Sequence, residues 1–296
     1  MLAEIATVLA PLFLCAGIGF AWARSGRAFD AANMGDLIAI VGLPCLTYAT
    51  LTKLAVEPAT FVRVAGYYLV SLAAFGAVGI AALRAAGLEL RTYLPPMMFS
   101  NTGNMGLPVC LFAFGEVGLA LAVCIYLTNA VLNYVVGVAI FAGHLSVRSI
   151  THNVLVWSAA AALATVAAGI EPPRWLINTA VLVGAVPIPF MVVALGAAVA
   201  RLEISDLPRT FALSVLRQAT GFLAGWGTAS LFGLEGVERG ILILMSSMPA
   251  AVVNYLFALR HGRNPEQVAS MVMATTLLSY AMLPFVLLVV LPGGAP

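Results

Sequence analysis

The sequence predicts an all-α polytopic membrane protein with ten transmembrane helices. Of its 296 residues 62% are hydrophobic and only 9% are charged, whereas soluble domains carry roughly 25% charged residues. Apolar runs of about 20 residues, the length that crosses a bilayer, recur along the whole chain. Two of these runs are interrupted by polar residues and proline at corresponding places in two halves of the chain. These observations predict one membrane domain over residues 1–296, built as two inverted five-helix repeats with broken crossing helices 4 and 9.

The predicted spans are separated by short connections that hold nearly all the charge. With ends placed to within about three residues, the spans are 5–23, 34–52, 60–83, 91–115, 117–142, 153–170, 175–201, 208–231, 237–259 and 266–291. Span 1 follows Glu4 and ends before Arg24. Because it lacks a basic flank and a small-residue cleavage site, we predict a retained helix and not a signal peptide.

Each of the remaining elements of the first half is marked by its own residues. Span 2 contains Gly-Leu-Pro at 42–44 and ends before Lys53, and span 3 is an uninterrupted apolar run that ends before Arg84. Span 4 contains the polar stretch Ser-Asn-Thr-Gly-Asn-Met-Gly-Leu-Pro at 100–108, which we call the first break. Span 5 ends before the polar connection 143–152.

The second half repeats these marks. Span 6 is uninterrupted, span 7 contains Pro-Ile-Pro at 187–189, and span 8 has a central Arg217. Span 9 contains Ser-Ser-Met-Pro at 246–249, which we call the second break, and span 10 at 275–280 echoes span 5 at 129–134. The prolines of spans 2 and 4 lie 64 residues apart, and those of spans 7 and 9 lie 60 to 62 apart. An odd number of spans in each copy predicts that the second copy is inserted upside down.

Basic residues predict the orientation in the membrane. Nine lie in connections after odd-numbered spans and four in connections after even-numbered spans. The first group is Arg24, Arg27, Arg84, Arg91, Arg148, Arg201, Arg209, Arg260 and Arg263; the second is Lys53, Arg63, Arg174 and Arg239. Under the positive-inside rule the protein is a multi-pass protein of the cytoplasmic membrane with both termini outside.

Composition and spacing exclude several functions. A net charge of +2 without a basic run does not suggest nucleic acid as a partner. The four cysteines lie in apolar runs without CxxC spacing, so neither a metal nor a redox cofactor is expected. The sequence contains no HExxH motif, and the serines of the second break have no nearby histidine or lysine, which argues against an enzyme.

The two breaks are the predicted binding site. Lipid cannot satisfy freed backbone groups, so a broken helix at this depth must face protein or a watery cavity. Pro108 and Pro249 lack an N–H and free the carbonyls of Asn104 and Met245. If spans 4 and 9 cross there, half-helix N-termini present free N–H groups that suit a carboxylate.

Residues of three roles are predicted at this site. The substrate-binding residues are Asn101, Thr102, Asn104, Ser246, Ser247, Asn254 and Arg217; the crossover or hinge residues are Gly103, Gly106, Pro108 and Pro249; the supporting residues are Asn129, Asn133 and Ser279. The alternative interpretation is that these small polar groups only join helices, for about 0.6 kcal/mol each.

Arg217 and the coupling ion leave alternatives open. A central arginine costs roughly 2.5–3.5 kcal/mol on insertion scales, so it should pair or face water. Arg217 either tethers the broken helices or attracts an anionic solute. No acidic residue lies within the interior of a predicted span, and the three histidines fall in connections, so sodium symport, anion movement down the membrane potential and proton coupling all remain possible.

The first break with Val109, and the segment Met-Pro-Ala-Ala-Val-Val-Asn-Tyr-Leu-Phe-Ala at 248–258, resemble the signatures of the auxin efflux carrier (PIN-like) family, bacterial type. The resemblance covers the whole chain. It implies a fold similar to bile-acid/sodium symporters and a homodimeric scaffold of about 1–57 and 152–204. It also implies a transport part of about 58–143 and 205–291 that moves as an elevator.

The resemblance implies that Asn101 and Asn104 contact substrate. The chain departs from the plant carriers in its short connection 143–152 and in lacking an acidic group beside the crossover. We therefore expect a secondary transporter, in contact with membrane lipids, for a small organic anion such as malonate or an auxin-like acid. The alternative is a membrane receptor that binds a carboxylate without moving it.

Overall fold

The computed structural model describes residues 2–27, 31–144, 154–200 and 206–291. The structure is 85% helical, and the described residues form no strand. Arg148, Arg201 and His152, with most of the connection 143–152, lie outside the described residues. The predicted all-α class is confirmed.

Fourteen α-helices cover the described parts of the chain. They are α1 Leu2–Arg24, α2 Ala31–Leu37, α3 Leu43–Lys53, α4 Pro58–Ala85, α5 Leu90–Met98, α6 Leu107–Leu132, α7 Val138–Ala142, α8 Val154–Ala167, α9 Arg174–Gly184, α10 Pro187–Val199, α11 Leu207–Leu231, α12 Gly236–Ser246, α13 Val253–Arg260 and α14 Pro265–Val290. Three π-helical turns, Ile38–Gly42, Thr102–Gly106 and Asn133–Gly137, precede α3, α6 and α7.

Six helical segments in the described residues are long and apolar enough to cross a membrane, fewer than the ten spans predicted. They are Ile5–Arg24, Met34–Lys53, Pro58–Ala85, Thr102–Ala142, Arg174–Val199 and Pro265–Val290. The segment Thr102–Ala142 has 41 residues and joins the second part of predicted span 4 to span 5. The ten-span arrangement and its inverted repeats remain predictions.

The chain nevertheless turns where spans 4 and 5 were predicted to separate. Gly115 within α6 has φ 65° and ψ −157°, which is far from helical geometry and open to glycine without strain. The helical path is therefore interrupted between residues 114 and 116. This kink agrees with predicted span ends at 115 and 117.

The predicted prolines differ in whether they interrupt the helical path. Pro44, Pro108 and Pro187 each occupy one of the first two positions of α3, α6 and α10, and π-helical turns run directly into α3 and α6. Pro249 lies between α12 and α13 in non-helical chain. The helical path is therefore interrupted at residues 99–101 and 247–252, whereas Pro44 and Pro187 lie inside the continuous helical segments Met34–Lys53 and Arg174–Val199.

Close packing between α1 and α10 depends on two glycines. A Cβ at Gly19 of α1 would lie 1.9 Å from the Val193 carbonyl oxygen, and a Cβ at Gly196 of α10 would lie 1.9 Å from the Ala16 carbonyl oxygen. The two backbones therefore touch, as small residues permit in membrane helix pairs. Elsewhere α3 packs on α8 and α9, while α4, α5, α6, α11, α12 and α14 form a second group of helices in mutual contact.

The outer surface of the bundle is apolar. Phe13, Leu14, Trp157, Trp175 and Leu182 are each at least 46% exposed. Such a surface suits lipid tails and not water, because large exposed apolar areas are rare on soluble monomers. The described surface is that of a membrane-embedded protein.

Candidate functional site

The first break separates α5 from α6. Helix α5 ends at Met98, and Phe99 is extended, with φ −90° and ψ 119°. Asn101 then caps the following π-helical turn, since its Oδ1 accepts a hydrogen bond from the Asn104 backbone N–H at 3.3 Å. An asparagine side chain that bonds the backbone three residues ahead favours this kind of helix start.

The second break separates α12 from α13, with non-helical chain over 247–252. The Ser247 hydroxyl donates to the Ile243 carbonyl at 2.7 Å and helps to end α12. The Asn254 Nδ2 donates to the Pro95 carbonyl of α5 at 3.4 Å. The start of α13 is in this way attached to the helix that leads into the first break.

The two breaks are hydrogen-bonded to each other. The Asn101 N–H donates to the Pro249 carbonyl at 2.6 Å, and the Ala251 N–H donates to the Phe99 carbonyl at 2.9 Å. Ser100 and Ala250 form an isolated antiparallel bridge between these bonds. Backbone groups that a continuous helix would have satisfied internally are satisfied here across the two breaks, as the apolar interior requires.

Asn129 of α6 holds the first break. Its Nδ2 donates to the Ser100 carbonyl at 2.8 Å and to the Thr102 Oγ1 at 3.0 Å. Its Oδ1 accepts from the Tyr68 hydroxyl of α4 at 2.8 Å. Both polar atoms of Asn129 thus have partners, with two bonds to the first break and one to α4.

Thr275 and Gln218 hold the second break. The Ala250 N–H donates to the Thr275 Oγ1 of α14 at 3.1 Å. The Gln218 Nε2 of α11 donates to the Ser247 carbonyl at 3.3 Å and to the Ser279 Oγ at 2.5 Å. Ser279 therefore reaches the break through Gln218.

Three of these supporting residues were missed in the sequence. Thr275 could have been found, because the echo between spans 5 and 10 aligns it with Asn129. Gln218 had a weaker signal, as an amide in an apolar run beside Arg217. Tyr68 had no signal in the sequence, since a tyrosine in an apolar span is common at helix contacts.

Arg217 is completely buried, and it is the single charged residue among the buried ones that the structure describes. Its Nη2 donates to the Ser100 hydroxyl at 2.6 Å, and its Cζ lies 4.7 Å from the centre of the Phe75 ring. Its Nε and Nη1 have no hydrogen-bond partner. The contact with Ser100 fits the tethering role, while the two free nitrogens leave charge available near the breaks.

Other predicted residues also have unused polar atoms. Asn101 Nδ2, Ser246 Oγ and Asn254 Oδ1 are buried without a partner, and so is the Gln218 Oε1. Asn104 is half-buried. A buried polar group without a partner is costly unless a ligand, ion or water completes it, so these residues are the candidate binding residues.

The remaining predicted residues pack around the breaks. Gly103 lies against the Tyr126 ring, and a Cβ at Gly106 would lie 2.7 Å from the Met245 sulfur. Asn133 starts the π-helical turn before α7, and its Oδ1 is also without a partner; no hydrogen bond joins it to the first break in the described residues. Asn133 is the predicted supporting residue that the described contacts leave apart from the breaks.

A cavity with other lining residues lies away from these groups. It measures about 360 Å³ and is bounded by α1, α3, α9 and α10 on one side and by α6 on the other. Its wall is mainly apolar, and Thr50, Lys53 and Glu116 are its polar residues. Its α6 wall runs from Leu111 to Leu119, which begins three residues after the first break.

Comparison with known proteins found a match between part of the chain and a family model. The model of a family described as membrane transport protein matches residues 147–287. The matched region includes the second break, Arg217 and Gln218. No curated protein matches the chain significantly.

Proposed function

Because residues 147–287 identify the chain with the auxin efflux carrier (PIN-like) family of membrane transport proteins, as its motifs predicted, we propose that it is a secondary transporter for a small organic anion. The solute would be a carboxylate such as malonate or an auxin-like acid. The observation that carries this proposal is the pair of hydrogen-bonded helix breaks with Arg217 as their buried charge. Arg217 is the one cation of this site and its other polar groups are neutral amides and hydroxyls, so the site favours a negatively charged solute.

The breaks offer the solute two kinds of attraction. The turn that begins at Thr102 and the helix that begins at Val253 have N-terminal N–H groups, which carry partial positive charge. Asn101 Nδ2 and the half-buried Asn104 add neutral donors. A carboxylate can accept hydrogen bonds from several of these groups at once.

An elevator movement would carry this site across the membrane. The proposed scaffold contains α1 to α3 and α8 to α10, and the proposed transport part contains α4 to α7 and α11 to α14. The 360 Å³ cavity lies between the two and offers the solute a path along their interface. The paired roles of Asn129 and Thr275 at the two breaks support the inverted repeats.

We also propose a homodimer in the cytoplasmic membrane with both termini outside.

Transport by purified protein in sealed vesicles tests the function. Uptake of labelled malonate, indole-3-acetate and other acids is measured with sodium, pH and voltage varied one at a time. Saturable accumulation of a carboxylate supports the proposal. Binding of a carboxylate without movement would instead favour the receptor.

Asn104 is the residue to change first among the candidate binding residues. In Asn104→Ala, we expect the KM for the carboxylate to rise about tenfold, because one charge-assisted hydrogen bond of about 1.5 kcal/mol is lost. The melting temperature should stay near that of the wild type, since Asn104 is half-buried and its side chain has no bond to lose in the described structure. An unchanged KM would remove Asn104 from the site.

Filling the cavity tests the path. In Ala49→Phe, the added ring would occupy the space between α3 and α6, because Ala49 lines it. We expect uptake to fall at least tenfold without a loss of thermal stability, since the ring fills existing space. Ala164→Phe on the exposed side of α8 is the matched control and should keep full uptake. Normal uptake by Ala49→Phe would place the path elsewhere.

A further inference from the structure

We infer that Lys53 receives the carboxylate of the solute at the entrance of the cavity between α3 and α6, and that Glu116 competes with the solute for this ammonium group. The inference rests on the proposed function and adds an entrance site to the binding residues at the breaks. The two charged residues line opposite walls of the cavity of about 360 Å³, Lys53 from α3 and Glu116 from α6.

Lys53 is the single lysine among the 14 basic residues of the chain. It is the last residue of α3 and of the segment Met34–Lys53, which is long and apolar enough to cross a membrane. The other cavity-lining residues of α3 share its face of the helix, because Leu46, Ala49 and Thr50 lie seven, four and three residues before it. The wall on α3 therefore begins with an ammonium group at the helix end, continues with buried Thr50 and becomes apolar further in.

Glu116 lies at the opposite wall, directly after the interruption of α6 at Gly115. Lys53 and Glu116 are both exposed, and they are the one basic and the one acidic residue among the described residues that line this cavity. Neither forms an ion pair with another described residue. The ammonium group of Lys53 is therefore free for an anion that reaches the cavity.

A lysine suits an entrance better than an arginine does. Arginine holds a carboxylate through two parallel hydrogen bonds, whereas the lysine ammonium group is a strongly hydrated point charge on a flexible stem. A charge in a cleft with low-dielectric walls raises the local concentration of oppositely charged ions. Lys53 can thus collect the anion without holding it, and the α6 wall of the cavity leads from there toward the first break.

Glu116 makes the capture depend on the transport cycle. Lys53 belongs to the proposed scaffold and Glu116 to the proposed transport part, so an elevator movement would change the distance between their charges. Where Glu116 lies close to Lys53, its carboxylate takes the place of the solute; where it lies apart, the attraction of Lys53 acts on the solute. The pair therefore favours capture at one end of the movement and release at the other.

Chemical protection of the lysine tests the inference. The full chain with Arg174→Lys carries a second, reference lysine at an exposed position that does not line the cavity. It is treated in detergent with an acetylating reagent in malonate, indole-3-acetate or chloride at equal ionic strength, and peptide mass spectrometry measures the acetylation of each lysine. The acid that vesicles accumulate should slow the acetylation of Lys53 about threefold, because a carboxylate beside an amine favours its charged, unreactive form. The reference lysine should react at the same rate in all three salts.

Uptake kinetics in vesicles give a second readout. Lys53→Gln should raise the KM about fivefold and leave the maximal rate unchanged, because attraction at an entrance acts on binding alone. The KM of the wild type should rise with ionic strength and that of Lys53→Gln should not, whereas Lys53→Arg should keep the dependence on salt. Glu116→Gln should lower the KM about threefold, and this gain should disappear in the double variant with Lys53→Gln.

Three results would overturn the inference. One is equal protection of both lysines, or of neither, by an acid that the vesicles accumulate. Another is a Lys53→Gln protein whose KM and salt dependence match those of the wild type. The third is a gain from Glu116→Gln that persists without Lys53. Absence of any carboxylate uptake by the wild type would contradict the proposed function instead.

Discussion

Gly19→Ala is expected to destabilise the protein by about 3 kcal/mol, the upper part of the range for overpacked sites. The new methyl group would lie 1.9 Å from the Val193 carbonyl oxygen and 2.8 Å from its carbon. Both atoms belong to the backbone of α10, so no side-chain rotation can relieve the overlap and the helices must separate. A thermal melt of the purified protein, followed by intrinsic fluorescence, measures the loss.

Gly17→Ala is the matched control on the same helix. A Cβ at Gly17 meets no atom within 4 Å. Because alanine has a higher helix propensity than glycine, this variant should melt at the wild-type temperature or slightly above it. Equal melting of the two variants would mean that α1 and α10 do not touch at Gly19.

The class of the fold could be predicted because lipid restricts the sequence so strongly. Long apolar runs require helices, and a proline with polar neighbours inside such a run requires a helix end. The interruptions before Pro108 and at Pro249 followed from that rule, whereas at Pro44 and Pro187 the helical path continues. A carboxamide in an apolar span needs partners, and this rule suggested Asn129 and Asn133 as supports; of the two, Asn129 is hydrogen-bonded to the first break in the described residues.

Other features depend on contacts between distant parts of the chain, so no local pattern reveals them. The approach of Gly19 to Val193 joins residues 174 positions apart, and many other glycines in the chain have open space around them. The partnership of Tyr68 with Asn129 and of Gln218 with Ser247 depends on how α4 and α11 pack. The cavity beside α6 is the space left between helices and has no sequence signal.

Asn129→Ala is expected to have the largest effect on transport. Truncation leaves the Ser100 carbonyl and the Thr102 and Tyr68 hydroxyls without their partner in the bundle interior. Each buried group left unsatisfied costs about 1–3 kcal/mol, and the three share one side chain, so we expect a total near 3 kcal/mol. Uptake of the carboxylate in vesicles should fall at least a hundredfold, because the first break loses its position. Asn178→Ala, at an exposed asparagine of α9, should match the wild type in both measurements.

Thr275→Val makes the corresponding change at the second break. It removes the acceptor for the Ala250 N–H while keeping the shape of the side chain, so about 1 kcal/mol should be lost. Ala250 pairs with Ser100, and Asn129 donates a hydrogen bond to the Ser100 carbonyl. Asn129 and Thr275 therefore act on one hydrogen-bonded unit. The double variant should accordingly lose less stability than the two single losses added together, since the second change acts on a unit that is already loosened. Strict additivity would mean that the two breaks are held independently, and the pairing of Ser100 with Ala250 would then carry no energetic coupling between the halves of the protein.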